Sequence, residues 1–408
     1  MRVAFVLGTT SGGTGRHVLM LVEGLVRRGN QVLVVGPRSV EEKFSFAGAG
    51  ARFVDVTVSD RPHPVNDLRA VLAIRRLTRD ADVVHAHGLR AGALAALGKR
   101  GGWKALAALR ARFGGREAVG RRDAAEAGSG RGQRAAQAGH GGGQGLVVTL
   151  HNALTAGGFV GVVYGVLERI VARRADHVLV VSPDLGERMV ALGARDVRAA
   201  VVGAPVLPPA KRTPQEVRDE LEAGERPILL TIARLAQQKG LETLLDVAAG
   251  PWNADAGIEG APAPLFVVAG EGPLRGELQA RIGAEGLPVT LLGNRDDVPD
   301  LLGAAVALVM PSRWEGQPLT LREALMAGKP VIATKVGGIP EILGNAGILV
   351  RYGDVGGLRG AVRELLAEPG AAETLAAAAA RRGREMPDGD DVVESVLGVY
   401  RSGDRTDD

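Results

Sequence analysis

At 408 residues the chain is longer than one core of about 100 to 200 residues, so two α/β domains with a cleft between them are the first expectation. Its 46% hydrophobic and 24% charged content is that of an ordinary globular protein, and the absence of cysteine excludes disulfides, thiolate zinc sites and a cysteine nucleophile. The net charge of +4 is uneven: residues 99–144 hold ten Lys/Arg against Glu117, Asp123 and Glu126, leaving +7 there and −3 elsewhere, which argues against nucleic acid as a partner.

The chain opens on Val3 to Leu7, an apolar run too short for a signal peptide and closed by a Gly/Thr/Ser turn, so it reads as a first strand. No segment approaches the roughly 20 apolar residues of a membrane span, and the cytoplasm is the expected location. A helix from about Thr14 to Arg28 and a strand from Gln31 to Val35 follow, which is βαβ grammar. The amphipathic segment Val65 to Thr78 and the apolar runs Val83 to His85, Val147 to Leu150 and Val178 to Val181 continue it. A doubly wound parallel sheet in a first domain, 1–205, is the reading.

Between Gly98 and Leu146 the pattern lapses into Gly, Ala and Arg, so 99–144 is expected to be a low-complexity, disordered insertion. Within it Trp103, Leu106, Leu109 and Phe113 share a helical face with basic residues opposite. A solvated linker is the plainer reading; a peripheral contact with the inner face of the plasma membrane is the other.

The Pro-rich run Gly203 to Pro209 reads as an interdomain linker. A second α/β domain, 206–385, then alternates strands (Pro227 to Ile232, Leu265 to Ala269, Val289 to Leu292, Val306 to Met310, Val331 to Thr334) with helices (Gly240 to Ala248, Leu319 to Ala327). Residues 386–408 supply a last helix over Val392 to Tyr400 and a frayed tail from Arg401.

Four places carry chemistry. Gly8 to Gly15 lacks the lysine of a Walker A loop and the acidic strand end of a dinucleotide fingerprint, so Gly12 and Gly13 remain as a turn whose amides can approach an anion or sugar, or as a plain tight turn. Arg234 and Lys239, between a strand and a helix, pair a planar fork with a point charge and suit a diphosphate.

Glu315 and Glu323 flank Pro318, which sits well for a helix start and leaves the amides of Leu319 and Thr320 free at a positive dipole end. Eight residues along a helix would separate the two carboxylates by roughly 12 Å, beyond the roughly 5 to 9.5 Å of a glycosidase pair. They read as hydroxyl acceptors instead, Glu323 for a ribose diol and Glu315 for a sugar. His151 closes an apolar strand over the cleft, where a structural histidine is the alternative. His85 and His87 lack a nearby acidic partner, so no metal site is expected.

These residues converge on a known pattern. Glu315 to Glu323 is an E-x7-E signature within Pro311-Ser312-x-x-Glu315-Gly316-x-Pro318, followed by Gly328-x-Pro330 and Val336-Gly337-Gly338-Ile339-Pro340-Glu341. The chain resembles the retaining family-four glycosyltransferases of GT-B architecture, whose two Rossmann-like domains face a central cleft.

The resemblance implies a hexosyltransferase that is metal-independent and needs no cofactor, its donor a nucleotide diphosphate sugar. Arg234 and Lys239 match the family's donor-phosphate cations, Gly270 and Gly272 its second-domain glycine loop, and Gly12-Gly13 its first-domain diglycine turn. His151 matches the histidine beside the donor sugar. Asn294 falls where the family's backbone meets the base, and Gly316, Gln317, Leu319 and Thr320 supply the amides, with Pro318 at the helix start among them. The acceptor is left unidentified, in cell-envelope glycan, glycolipid or small-molecule glycoside synthesis; members acting on inositol phosphate or phosphatidylinositol are analogies only. The rival readings are a nucleotide-sugar 2-epimerase of the same architecture and a catalytically silent sugar-nucleotide-binding protein.

Overall fold

The computed structural model describes residues 1–10, 12–58, 63–99, 144–152, 158–203, 207–252, 263–368 and 370–402, the side chains of 158–160 excepted. Two parallel sheets organise them. The first takes β1 (Arg2–Leu7), β2 (Gln31–Gly36), β3 (Arg52–Asp55), β4 (Val83–His87), β5 (Gly145–Leu150), β6 (His177–Val180) and β7 (Val197–Ala199) in the order β3-β2-β1-β4-β5-β6-β7. The second takes β8 (Ile228–Ile232), β9 (Leu265–Ala269), β10 (Val289–Gly293), β11 (Ala307–Met310), β12 (Val331–Thr334) and β13 (Ile348–Val350) in the order β10-β9-β8-β11-β12-β13. The two-domain, doubly wound expectation holds.

Central strands are legible because helices cover both faces and they read as nearly continuous apolar runs: β9, Leu-Phe-Val-Val-Ala, is buried throughout. The strands that the sequence reading passes over are β3, β7 and β13, all at sheet edges and all short. β3 and β7 carry charge (Arg52, Asp55, Arg198) and are exposed on part of their length, which is how edge strands avoid pairing with other chains. In each sheet the order reverses next to the first strand, between β1 and β4 and between β8 and β11. Loops leaving the carboxyl ends of these strands diverge there and open a crevice.

The last helix, Gly389–Ser402, returns from the second domain to the first. Val392, Val393, Val396, Leu397 and Tyr400 join the core formed by Phe5, Val18, Leu21 and Leu25. Arg28 of the first helix, Gly13–Arg27 plus its cap, pairs with Asp390 at 3.1 Å and Glu394 at 3.3 Å. The expected frayed tail does not start at Arg401: Arg401 and Ser402 are helical, the Ser402 hydroxyl donating to the Val399 carbonyl, and 403–408 lie outside the described residues. Residues 100–143 of the expected 99–144 insertion, with its Trp103 to Phe113 face, also lie outside them, as do 204–206 of the expected linker. The two end residues of that expected insertion are instead ordered by contacts, Lys99 with Asp176 at 2.5 Å and the Gln144 amide with the Ala81 carbonyl at 3.2 Å.

Four histidines gather where β4 and β5 end. His85 and His87 project from one face of β4, His17 comes from the first helix, and His151 follows β5. His85 is fully satisfied, Nδ1 against the Tyr400 hydroxyl and Nε2 against the Thr149 hydroxyl, both at 2.7 Å. Burial holds all four rings neutral, with neighbouring histidines adding repulsion at His85, His87 and His151 and Arg322 adding it at His17. His17 falls to about 4 and His151 to about 3.

A histidine whose folded pKa lies below its unfolded value of about 6.5 contributes full stability above that value and loses it as pH falls toward the folded pKa. Urea unfolding at pH 7.5 and pH 5.0 should thus show a loss at the lower pH, and His17→Gln should shrink that loss by about 2 kcal/mol. An undiminished loss in the variant would mean that His17 is already charged in the folded protein.

Candidate functional site

The carboxyl ends of β8, β9, β10 and β11 send out four loops that hydrogen-bond to one another. The loop after β8 carries Arg234 and, in a single 3-10 turn (Gln237–Lys239), Lys239. Its Leu235 amide donates to the Glu271 carbonyl at 2.9 Å, tying it to the loop after β9. That loop in turn joins the end of β10 through the Gly270 amide and the Gly293 carbonyl at 2.7 Å. Gly270 has φ +144, and a β-carbon there would stand 2.0 Å from the Ala233 carbonyl oxygen, so no other residue lets the two loops approach this closely.

The loop between β11 and the helix Leu319–Met326 is pinned from both sides. The Arg313 amide donates to the Gln238 carbonyl at 2.8 Å and the Gln238 side-chain amide to the Trp314 carbonyl at 2.9 Å. Glu315 sits in this loop, buried, its Oε1 receiving the Ser312 hydroxyl at 2.7 Å and the Lys239 ammonium at 2.6 Å. The helix starts after Pro318, as the sequence reading places it, because proline fixes φ at the N-cap and the preceding glutamate loop is held by side-chain bonds; the roughly 12 Å helical spacing of Glu315 and Glu323 therefore does not apply. Glu323 alone is helical, and burial raises its carboxyl above the ordinary range against the opposing pull of Arg16. No side chain caps this helix, so its first amides are open at the positive end of the dipole.

The first domain supplies the facing wall. Gly12 caps the helix Gly13–Arg27, and a β-carbon on Gly13 would meet the Leu319 side chain at 3.4 Å, so the diglycine turn stands directly over the second-domain helix. His151 is part-exposed after β5, with Nε2 3.0 Å from His87 Nδ1. Two contacts cross between the domains beside it: the Trp314 indole donates to Asp184 at 2.9 Å and the Gln317 amide to the Ala200 carbonyl at 3.0 Å.

The cleft so enclosed has a volume of about 720 Å³. All the residues singled out in the sequence line it: His151, Arg234, Lys239 and Glu315, the glycines 12, 13, 270, 272 and 316, and Asn294, Gln317, Pro318, Leu319, Thr320 and Glu323. They differ in availability. Arg234 is exposed and makes no ion pair among the described residues. Lys239 is held by Glu315, and both ends of the Gln317 side chain are occupied, the amide nitrogen by Ala200 and the oxygen by Arg322, which leaves only its backbone to face a ligand.

Sequence reasoning missed Arg16, His17, Lys43 and Asn152, which line the same cleft from the first domain. Arg16 and His17 stand on the first turn of a helix otherwise read by its apolar period, and only the preceding glycine turn points to them. No sequence pattern flags Lys43.

Known proteins match this arrangement in both halves. The family described as glycosyl transferase 4-like domain matches residues 12–205, and that described as glycosyl transferases group 1 matches 226–368. A 2-deoxystreptamine N-acetyl-D-glucosaminyltransferase of Streptomyces fradiae is 31% identical over 57% of this chain and 57% of its own length. An alpha-D-kanosaminyltransferase of Streptomyces kanamyceticus is 29% identical over 46% and 48% respectively, so the chain spans about half the length of these relatives. Among solved structures, Anabaena HepE in complex with UDP and glucose superposes with a TM-score of 0.71 at 18% identity, covering 98% of this chain and 99% of that one. Sucrose-phosphate synthase from Thermosynechococcus elongatus gives 0.69 at 20% identity, covering 98% of each. With both halves matched in sequence and the whole matched in fold, this chain belongs to the group 1 glycosyltransferases of GT-B architecture.

Proposed function

We propose that the protein is a retaining hexosyltransferase, moving a hexose from a nucleotide diphosphate sugar to an acceptor in cell-envelope glycan, glycolipid or small-molecule glycoside synthesis. The observation that carries this reading is Arg234, which makes no ion pair among the described residues, together with the Lys239–Glu315 pair and an uncapped helix start, all on one wall of the cleft. That wall gathers positive potential where a diphosphate would depart. Relatives named as a kanosaminyltransferase and an N-acetyl-D-glucosaminyltransferase, and a fold neighbour solved with UDP and glucose, support it.

In the mechanism this implies, the C1–O bond to the diphosphate breaks as an acceptor hydroxyl approaches the same face, through an oxocarbenium-like state. The acceptor proton passes to the leaving phosphate oxygen, so no carboxylate nucleophile is required. Arg234, Lys239 and the amides from Gly316 to Thr320 stabilise the charge growing on the diphosphate, the office that a metal fills elsewhere. Glu323 accepts from the ribose diol, Glu315 from sugar hydroxyls, and His151 positions the sugar; Gly12 and Gly13 close over it.

The reading is tested by incubating the protein with UDP-, GDP- and ADP-hexoses and a panel of acceptors, then assigning the product anomer by NMR. An acceptor-dependent product with the donor's own anomeric configuration is expected. An inverted anomer overturns retention, an epimerised sugar from donor alone identifies a 2-epimerase, and donor binding without any turnover identifies a silent binding protein.

Glu323→Ala is expected to weaken donor binding and Glu315→Gln to lower turnover, each by about 1.5 to 3 kcal/mol for a lost charged hydrogen bond. Calorimetric titration of the donor and steady-state rates separate the two effects; unchanged values in both variants would remove the glutamates from the site. Full activity is expected in excess EDTA, because cations and helix amides occupy the positions at which a metal would act. Activity lost to EDTA and restored by Mg²⁺ or Mn²⁺ would refute that.

A further inference from the structure

The two facing nitrogens of His87 and His151 are 3.0 Å apart, so one carries a proton and the other a lone pair. Which is which is decided by the far side of His87. Its Nε2 is buried with no hydrogen-bond partner. If His151 donated, His87 would have to hold its own proton on that Nε2, leaving an N–H orphaned in the core. If His87 donates, Nε2 bears only an unshared lone pair, and bare acceptors are tolerated in protein interiors more readily than bare donors. Neither ring is available as a cation, since burial holds both neutral.

We propose that His87 is a positioning residue, its Nδ1–H donating to Nε2 of His151 and so fixing His151 in the tautomer whose Nδ1–H opens into the cleft. The consequence for chemistry rests on the proposed glycosyl transfer: His151 then meets the donor only as a neutral hydrogen-bond donor, to a lone pair on a sugar or phosphate oxygen, and cannot take up a proton there. The frame that holds His87 for this task is rigid. His85 lies against it with ring centroids 4.2 Å apart and is itself anchored at both nitrogens, while Phe5 flanks it at 5.7 Å. The His151 and His87 rings are near-parallel, at an interplanar angle of 21° with centroids 5.3 Å apart, and meet edge to edge through the bonded nitrogens, while His151 Nδ1 has no partner among the described residues. A ring set by one hydrogen bond on one nitrogen presents the other in a single state.

Long-range proton–nitrogen spectra of histidine-labelled protein without nucleotide read this directly, with His151→Gln giving the assignment. His151 should show a protonated Nδ1 and a bare Nε2. In His87→Asn, whose side-chain amide can donate from nearly the position of Nδ1, that signature should persist and turnover should stay within a few-fold of wild type. In His87→Leu, His151 should become a mixture of tautomers, with kcat falling about tenfold and the donor KM little changed. A protonated Nε2 on His151 in the wild type overturns the inference, as does a pure Nδ1–H form in a folded His87→Leu. Should the leucine variant not fold, the wild-type and asparagine spectra decide. Absence of transfer with every donor and acceptor would sink the proposed function while leaving the tautomer measurement intact.

Discussion

The backbone oxygen of Glu315 occupies the space that a β-carbon on residue 337 would need, 1.8 Å from its ideal position. Only glycine, held at φ +51, lets the loop after β12 fold this tightly over the loop after β11. The Gly338 amide then bonds the same oxygen at 3.0 Å, and Thr334 at the end of β12 reaches the Ser312 carbonyl at 2.6 Å. With its main chain clamped, the Glu315 carboxylate has one direction to point, toward Ser312 and Lys239. The position of the lysine follows from that of the glutamate, and the loop after β8 from both.

The two walls of the cleft divide the electrostatics between them. The second domain contributes formal charge on rigid loops, while the first presents neutral imidazoles backed by an apolar core, with Arg16 and Lys43 at the rim. Burial disfavours charge on those imidazoles, so the positive charge of the cleft comes from Arg234, Lys239 and Arg295 of the second domain, where Glu271, Glu315 and Glu323 also stand, and from Arg16 and Lys43 of the first. Gln317 and Trp314 join the walls, each donating across the boundary to Ala200 or Asp184.

Much of this was legible before any coordinates, for identifiable reasons. Buried parallel strands are continuous apolar runs, so β1, β5, β8 and β9 declare themselves, whereas β3 and β7 at the edges obey no such pattern. Residues at strand ends were found because glycine, proline and charge cluster at those turns. The partner of Lys239 was not, because Glu315 lies 76 positions away and the pair exists only once four loops are laced together. His17 and His87 were missed as a cluster for the same reason: β4, β5 and the first helix bring together residues that no local spacing connects. The eight-residue spacing of the two glutamates carries the family resemblance, and Pro318 between them marks where loop gives way to helix, as the structure has it.

The last helix has a consequence for how the protein is made. The first domain has all its strands once β7 ends at Ala199, yet its core still lacks Val392, Val393, Val396, Leu397 and Tyr400, which the ribosome supplies about 190 residues later. At roughly 5 to 20 residues per second that interval is on the order of 10 to 40 seconds. Most of that interval is spent making the second domain, whose two core clusters draw on residues from 217 to 379 and so are synthesised in full only 13 residues before Val392. The first domain to emerge therefore cannot complete its core until the second has been made.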